Sequence, residues 1–251
     1  MSGRLLLVPN ALDLGAAEVD LRDVVPEGVI RSAAALRHWV VEDARSARAF
    51  LKRVAAFVPL VQPLQTQSIT ELPKPRKGSQ VVVAEATWQR LLAPAIAGAD
   101  VGLLSEAGLP AVADPGARLV QAAHELKIVV WPLAGASSLT LALAGSGLNG
   151  QSFAFVGYLP QDASARASKL RELETWSRRQ QQTQLMIETP YRNGALLGTL
   201  LATLAATTRL SISLGLTLPG GWVRCHTVAQ WRLTPPTLPD RVPAVFGLLA
   251  C

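Results

Sequence analysis

Short apolar runs alternate with helix-like segments through the first half of the chain, and this order is the strongest constraint on its fold. Arg4–Val8, His38–Val41, Val81–Ala84 and Val101–Leu104 are too short for helices and rich in leucine and valine. Helix patterns lie between and after them, near Ser46–Phe57, Thr87–Ala97 and Pro115–Leu126. In the first of these, Ala49, Phe50, Val54 and Phe57 face inward, while Arg48, Lys52 and Arg53 face outward. Strand–helix alternation of this kind predicts an α/β domain with a largely parallel sheet. Gln62–Gly78 interrupts the pattern. Prolines 63, 73 and 75 and the cluster Lys74, Arg76 and Lys77 make it read as a long surface loop.

After Asn149-Gly150 the character changes. Phe153–Tyr158 reads as a strand, and Gln161–Gln182 is polar and charged. The strand Gln184–Ile187 then precedes a helix over Pro190–Ala205. Arg209–Leu214, Trp222–Val228 and Val242–Leu248 read as further strands, predicting a mixed sheet. The expected domains are 1–148, α/β with a largely parallel sheet, and 149–251, α/β with a mixed sheet.

No charged residue occurs from Ile128 to Gln161. A membrane span is excluded because Pro132, Gly135, Ser137, Ser138, Gly145, Gly147 and Gly150 break every long apolar run. The segment parses instead as a strand at Ile128–Trp131, a short helix near Ser138–Ala144 and the strand Phe153–Tyr158. Continuously apolar strands are expected to be buried on both faces.

Composition bounds the function. Hydrophobic residues make up 49% and charged residues 17%, which excludes a disordered chain. The net charge of +6 suits a partner bearing phosphates or carboxylates. The two cysteines, Cys225 and Cys251, form no Cys/His cluster, so neither a disulfide framework nor a metal site is expected. The apolar run in Met1–Pro9 is too short for a secretory signal, and the expected compartment is the cytoplasm.

Four segments carry chemistry. Ser105–Gly116 follows a strand and precedes a helix, where open α/β sheets bind ligands. Within it, Asp114 before Pro115 reads as a helix N-cap, whereas Glu106 has no such structural role. Pro132–Ser138 is a second strand-to-helix loop. Ser137 or Ser138 either caps the next helix or contacts a ligand. Gly145–Gly150 matches G-x-G-x-x-G, but a helix precedes it and a strand follows, so it reads as a helix C-cap and turn. This removes the support for a nicotinamide oxidoreductase. Glu188-Thr189-Pro190-Tyr191-Arg192 starts a helix, with Glu188 left to contact a ligand or to pair with Arg192.

These segments together resemble the class III, tetrapyrrole-methylase-type methyltransferases. The resemblance rests on Ser105–Gly116, Pro132–Ser138, Phe155–Pro160 and Glu188–Arg192, in that order. Within that superfamily the chain is most similar to the small-subunit ribosomal RNA cytidine 2′-O-methyltransferases, whose AEDTR run is matched by Val41–Arg45. The resemblance implies two α/β domains with S-adenosylmethionine in a cleft between them, in a homodimer. It implies cofactor contacts at Pro9, Ser105, Glu106, Ala107, Pro110, Ser137, Ser138, Glu188 and Gly215. Glu42, Asp43, Arg45, Tyr191 and Arg192 are the residues expected on the acceptor side. The acceptor is expected to be RNA or an anionic, tetrapyrrole-like small molecule. Three departures stand out: Val8–Gly15 lacks the family's early glycine, Glu106 replaces an aspartate, and Leu214–Leu218 replaces a charged run. They motivate the alternative of a diverged, non-catalytic member that binds RNA or protein.

Overall fold

The computed structural model describes residues 2–13, 19–73 and 83–250. The chain forms two compact units, Met1–Ala136 and Ser137–Cys251.

The first unit is built on five parallel strands. They are β1 (Arg4–Val8), β2 (His38–Val41), β3 (Ser68–Glu71), β4 (Val101–Leu104) and β5 (Val129–Pro132), in the order β3-β2-β4-β1-β5. Alternate residues of the central strands supply two cores. Leu6, Val8, Trp39, Val41 and Leu104 pack against α1 (Glu27–Ala34) and α2 (Ala44–Ala55). Leu5, Val40, Val101 and Leu103 pack against α3 (Glu85–Leu91), α4 (Ala93–Ile96) and α5 (Ala117–Glu125) on the opposite face. Each fully buried leucine, valine or phenylalanine in these layers is worth about 1.5–3 kcal/mol. From β1 the chain crosses β4 to reach β2, whereas from β4 it crosses β1 to reach β5. The loops leaving these two neighbouring strands therefore diverge to opposite faces, which defines a topological switch point.

Two expectations for this unit change. The segment expected to be one long loop contains β3, which pairs in parallel with β2. Its polar residues suit the sheet edge that it forms. Lys74, Arg76 and Lys77, and Val81 of the expected strand there, lie outside the described residues. The strand in the uncharged stretch is not buried on both faces. β5 is the other edge of the sheet, leaving Val129 and Trp131 exposed, with the Arg4 guanidinium 5.2 Å from the Trp131 ring centre.

The second unit starts with α6 (Ser138–Ser146). There follow β6 (Phe153–Tyr158), α7 (Ala163–Gln180), β7 (Thr183–Ile187), α8 (Asn193–Thr203), β8 (Arg209–Leu214), β9 (Trp222–Thr227), α9 (Val228–Leu233) and β10 (Ala244–Leu249). The sheet order is β6-β7-β10-β8-β9, parallel only between β6 and β7. Leu139, Ala142 and Leu143 of α6 pack on Leu185 and Val245. The other face carries α7, α8 and α9 through Leu170, Leu196, Leu200 and Trp231 against Met186, Ile212 and Phe246. The sequence reading places the boundary after α6, near Leu148. The structure places it before α6, because that helix buries its apolar side on the second sheet. β6, expected to be buried on both faces, is an edge strand with Phe153 and Tyr158 exposed. Gly147 closes α6 in the left-handed conformation at φ 64°, the C-cap that the misplaced glycine pattern predicts. Among the described residues no helix is long and apolar enough to cross a membrane.

Candidate functional site

The switch point of the first unit gathers three loops. Asn10, just past β1, exchanges backbone hydrogen bonds with Gly108, at 2.9 and 3.2 Å. Its buried side-chain amide donates to the carbonyls of Ser105 (3.2 Å) and Glu106 (2.9 Å), and its Oδ1 accepts from the Ala11 amide (2.9 Å). One asparagine thereby ties the loop after β1 to the loop after β4. Asp13, further along the first loop, is buried and paired with Arg53 of α2 at 2.7 Å. The third loop, after β5, is anchored by the Leu133 amide donating to the Leu7 carbonyl. Gly135 packs so closely on Pro9 that a Cβ there would lie 2.2 Å from the proline Cβ.

The Ser105–Gly116 loop departs from ordinary backbone geometry. Ala111 and Ala113 both adopt positive φ, 66° and 63°, alongside Gly108 at 65°. Left-handed alanines cost about 1–2 kcal/mol each. Strain of this kind is held only where surrounding contacts over-determine the backbone, and it concentrates at ligand sites. The Ser105 hydroxyl is buried, with the Ala107 carbonyl (3.1 Å) and the Asp114 carboxyl as alternative acceptors for its one proton.

Acidic groups border these loops. The Glu106 amide donates to Glu42 Oε2 (3.1 Å), and the Ser46 hydroxyl reaches Glu106 Oε1 (3.4 Å). Asp43 caps α2 by accepting from the Ser46 amide (2.8 Å), and Glu71 accepts from the Ala44 amide (2.9 Å). Asp114 is not the N-cap that the sequence suggests. Gly116, at φ 133°, occupies that position with no side-chain cap. The Asp114 carboxyl is instead pushed up to about 6, mainly by burial and then by Glu42 and Glu106, with a hydrogen bond from Ser105 opposing.

The first unit therefore brings Pro9, Ser105, Glu106, Ala107, Glu42 and Asp43 to the carboxyl ends of its strands, together with buried Pro110 and exposed Arg45. The second unit brings Glu188 and Gly215 to one end of its sheet, on either side of the start of β10. Glu188 is buried, accepts from the Thr189 amide (2.8 Å) and hydroxyl (3.2 Å), and pairs with Arg192 at 3.2 Å. Tyr191 is 70% exposed. Gly215, at φ 56°, donates its amide to the Pro243 carbonyl. Ser137 is the N-cap residue of α6 but its hydroxyl makes no cap bond, and Ser138 opens the helix. Asn10 and Asp13 were not singled out by sequence reasoning. The available signal was a Pro-Asn pair directly after the first strand. Among the described residues no His, Cys, Asp and Glu side chains group as a metal site.

This fold, an all-parallel sheet with a switch-point loop cluster followed by a mixed five-stranded unit, is similar to that of two solved methyltransferases. The structure aligns with uroporphyrin-III-C-methyltransferase from Thermus thermophilus at a TM-score of 0.53 and 20% identity, covering 99% of this chain and 93% of that one. It aligns with the methyltransferase CobJ at 0.58 and 15% identity, covering 100% and 95%. In sequence the chain is 42% identical over 116 residues to "Ribosomal RNA small subunit methyltransferase I" of Micromonospora olivasterospora, 46% of this chain and 36% of that protein. Proteins of the same name from Halalkalibacterium halodurans and Synechocystis sp. match at 37% over 108 residues and 36% over 129. These two matches span 43% and 51% of this chain, and 36% and 45% of the relatives. Each match thus spans less than half of the relative's length. No family model matches the chain.

Proposed function

We propose that the chain is an S-adenosylmethionine-dependent methyltransferase whose acceptor is RNA. The observation that carries this reading is the Asn10 junction, which locks two strand-end loops together at the switch point of a parallel sheet. The relatives named as ribosomal RNA methyltransferases support it and favour RNA over a tetrapyrrole.

The residues fit such a cofactor. Ser105, Ala107 and Gly108 put small residues just past β4, and Gly135 lets the loop after β5 close on Pro9, where a Cβ would collide. Pro9, Ser105, Glu106, Ala107 and Pro110 are the proposed contacts from the first unit. Ser137, Ser138, Glu188 and Gly215 complete the proposed set on the resemblance. S-adenosylmethionine supplies a methyl group already activated by its sulfonium. The chain's own task is to orient the acceptor and exclude water. Of the proposed acceptor residues, Arg45 and Tyr191 are exposed, Asp43 caps α2, Arg192 pairs with Glu188, and Glu42 holds the Glu106 amide. A homodimer and a cytoplasmic location belong to the same proposal.

The uncharged Leu214–Leu218 turn favours the second reading, a non-catalytic RNA-binding member. Calorimetry with S-adenosylmethionine, followed by transfer of a tritiated methyl group to RNA, separates the two. Binding with transfer is expected. Absence of cofactor binding overturns the first reading, and poor cofactor binding with salt-sensitive RNA binding favours the second.

A further inference from the structure

Each unit of the chain holds one open sheet, and an open sheet has two edges. Edge strands present unpaired N–H and C=O groups, and folded chains guard them with charge or proline. Among the described residues three of the edges are guarded in this way. β3 ends on Glu71. β5 ends on Pro132 and has the Arg4 guanidinium over Trp131. β9 carries exposed His226 and Arg224, the latter 4.8 Å from the Trp222 ring centre. β6 is different. It reads Phe-Ala-Phe-Val-Gly-Tyr and lies inside the stretch from Ile128 to Gln161 that holds no charge. Phe153 is 45% exposed. A bulge between Phe155 and Tyr158, with Gly157 at φ 71°, interrupts the ladder in the second half of the strand. Residues 153–155 are left as a regular, unguarded edge.

The register fixes which backbone groups this edge presents. Phe153 lies opposite Thr183 in the parallel pair of β6 and β7, and the Thr183 amide donates to the Ser152 carbonyl at 3.0 Å. In a parallel ladder Ser152 and Ala154, which flank Phe153, then turn their backbone groups inward to β7. Phe153 and Phe155 direct theirs outward, where among the described residues no strand pairs with them. Two residues apart, their side chains share one face of the sheet. It is the face on which Phe155 and Leu185 pack with Leu139 of α6.

We propose that this edge pairs antiparallel with the same edge of a second copy of the chain. The proposal gives the homodimer of the functional reading its interface, and rests on that part of the reading alone. A two-fold axis between the two Ala154 residues sets Phe153 of each copy opposite Phe155 of the other. Both are then hydrogen-bonded positions, so the strands exchange four main-chain bonds. Ala154 meets its own counterpart at a non-hydrogen-bonded position, where Cα atoms approach to about 4.5 Å and a small side chain fits. Two phenylalanine pairs flank it on one face. Charge favours a second copy over an unlike partner. Residues 137–251 carry ten arginines and lysines against five aspartates and glutamates, so two copies repel except where a surface is neutral. A nucleic acid or an acidic protein finds no cation on this edge. An isologous contact needs one patch that complements itself, as this edge does about Ala154. The edge is short, so the dimer is expected to be concentration-dependent.

The test is sedimentation equilibrium over about 1–200 µM protein. The parent chain is expected to shift from one chain mass towards two across that range. Phe153→Pro removes an outward N–H and leaves the inward ladder, which uses Ala154, its bonds. Phe153→Lys puts a charge on the edge and keeps the test decisive if proline perturbs the fold. Each is expected to weaken dimerisation at least roughly tenfold. Val129→Lys, the same change on the β5 edge, is expected to dimerise as the parent does. Ala154→Cys is expected to give, on mild oxidation, a dimer joined through the two introduced thiols, mapped by mass spectrometry, because residues opposed at that spacing meet disulfide geometry. A parent that stays monomeric throughout, undiminished dimerisation of Phe153→Lys, equal weakening by Val129→Lys, or no cross-link at position 154 each overturns the proposal. Calorimetry with S-adenosylmethionine on Phe153→Lys is expected to match the parent. Cofactor binding by a monomeric parent overturns the interface alone. If the parent binds no cofactor but dimerises through β6, the methyltransferase reading falls and the interface stands.

Discussion

Asn10 and Gly108 face each other across two loops and exchange both of their backbone hydrogen bonds. The Asn10 side chain adds two more bonds, to the carbonyls of Ser105 and Glu106. Removing the amide in Asn10→Ala leaves two carbonyls at a buried junction without their donor, at a cost of about 1–3 kcal/mol. Urea denaturation is expected to show that loss. Calorimetry is expected to show weaker cofactor binding than the stability change alone explains. Full cofactor affinity in the variant would show that the junction is a structural staple only.

The Pro9–Gly135 contact gives a second, sterically defined test. A Cβ at residue 135 would meet Pro9 at 2.2 Å, and the proline ring cannot rotate away as a flexible chain would. Gly135→Ala must therefore displace one of the two loops, costing about 1–3 kcal/mol. The expected readout is a Tm lowered by roughly 3–10 °C. An unchanged Tm would mean that the loops yield without cost.

How far the sequence disclosed this arrangement depends on where the information lies. The central strands of the first sheet were legible because burial on both faces forces uninterrupted apolar residues at Leu5–Val8 and Val101–Leu104. The same rule misled at β5 and β6, where an apolar run marks an edge that leaves Trp131 and Phe153 exposed. β3 escaped notice because an edge strand tolerates polar residues. α7 escaped because its inward face mixes leucine with buried Arg166, Glu174 and Ser177. Of the site, the loops were legible from their small residues. The role of Asn10 was not, since its partners come from a loop far along the chain. Asp114 looked like a cap because Asp-Pro so often starts a helix, but the left-handed alanines delay that start to Gly116.

Asp114 gives the site a pH dependence of defined sign. Its carboxyl sits at about 6 rather than 3.8, owing to burial, then Glu42 and, more weakly, Glu106, against the Ser105 hydrogen bond. The folded chain thus holds a proton that the unfolded chain releases near pH 4. Stability from this group is present below that pH and is lost as pH rises through 6. Solvent reaches part of the group, so the loss is put at about 1–2 kcal/mol. Denaturation curves of the parent chain and Asp114→Asn between pH 4 and 7 are expected to diverge by that amount. The variant should be the more stable at pH 7, and parallel curves would remove Asp114 from the account.

The Glu188–Arg192 pair decides whether the end of β7 is built for binding or for folding. Glu188 is buried and Arg192 is its ion partner at 3.2 Å, while the Thr189 amide and hydroxyl satisfy its other bonds. Arg192→Ala strands a buried carboxylate and is expected to cost about 3 kcal/mol. Removing both charges in Glu188→Gln with Arg192→Met leaves no such orphan, and stability should return to within about 1 kcal/mol of the parent. Cofactor affinity then separates the roles. If the carboxylate contacts ligand, the double variant is stable but binds S-adenosylmethionine at least tenfold more weakly. If it serves the fold alone, affinity recovers together with stability, and Glu188 leaves the proposed contact set.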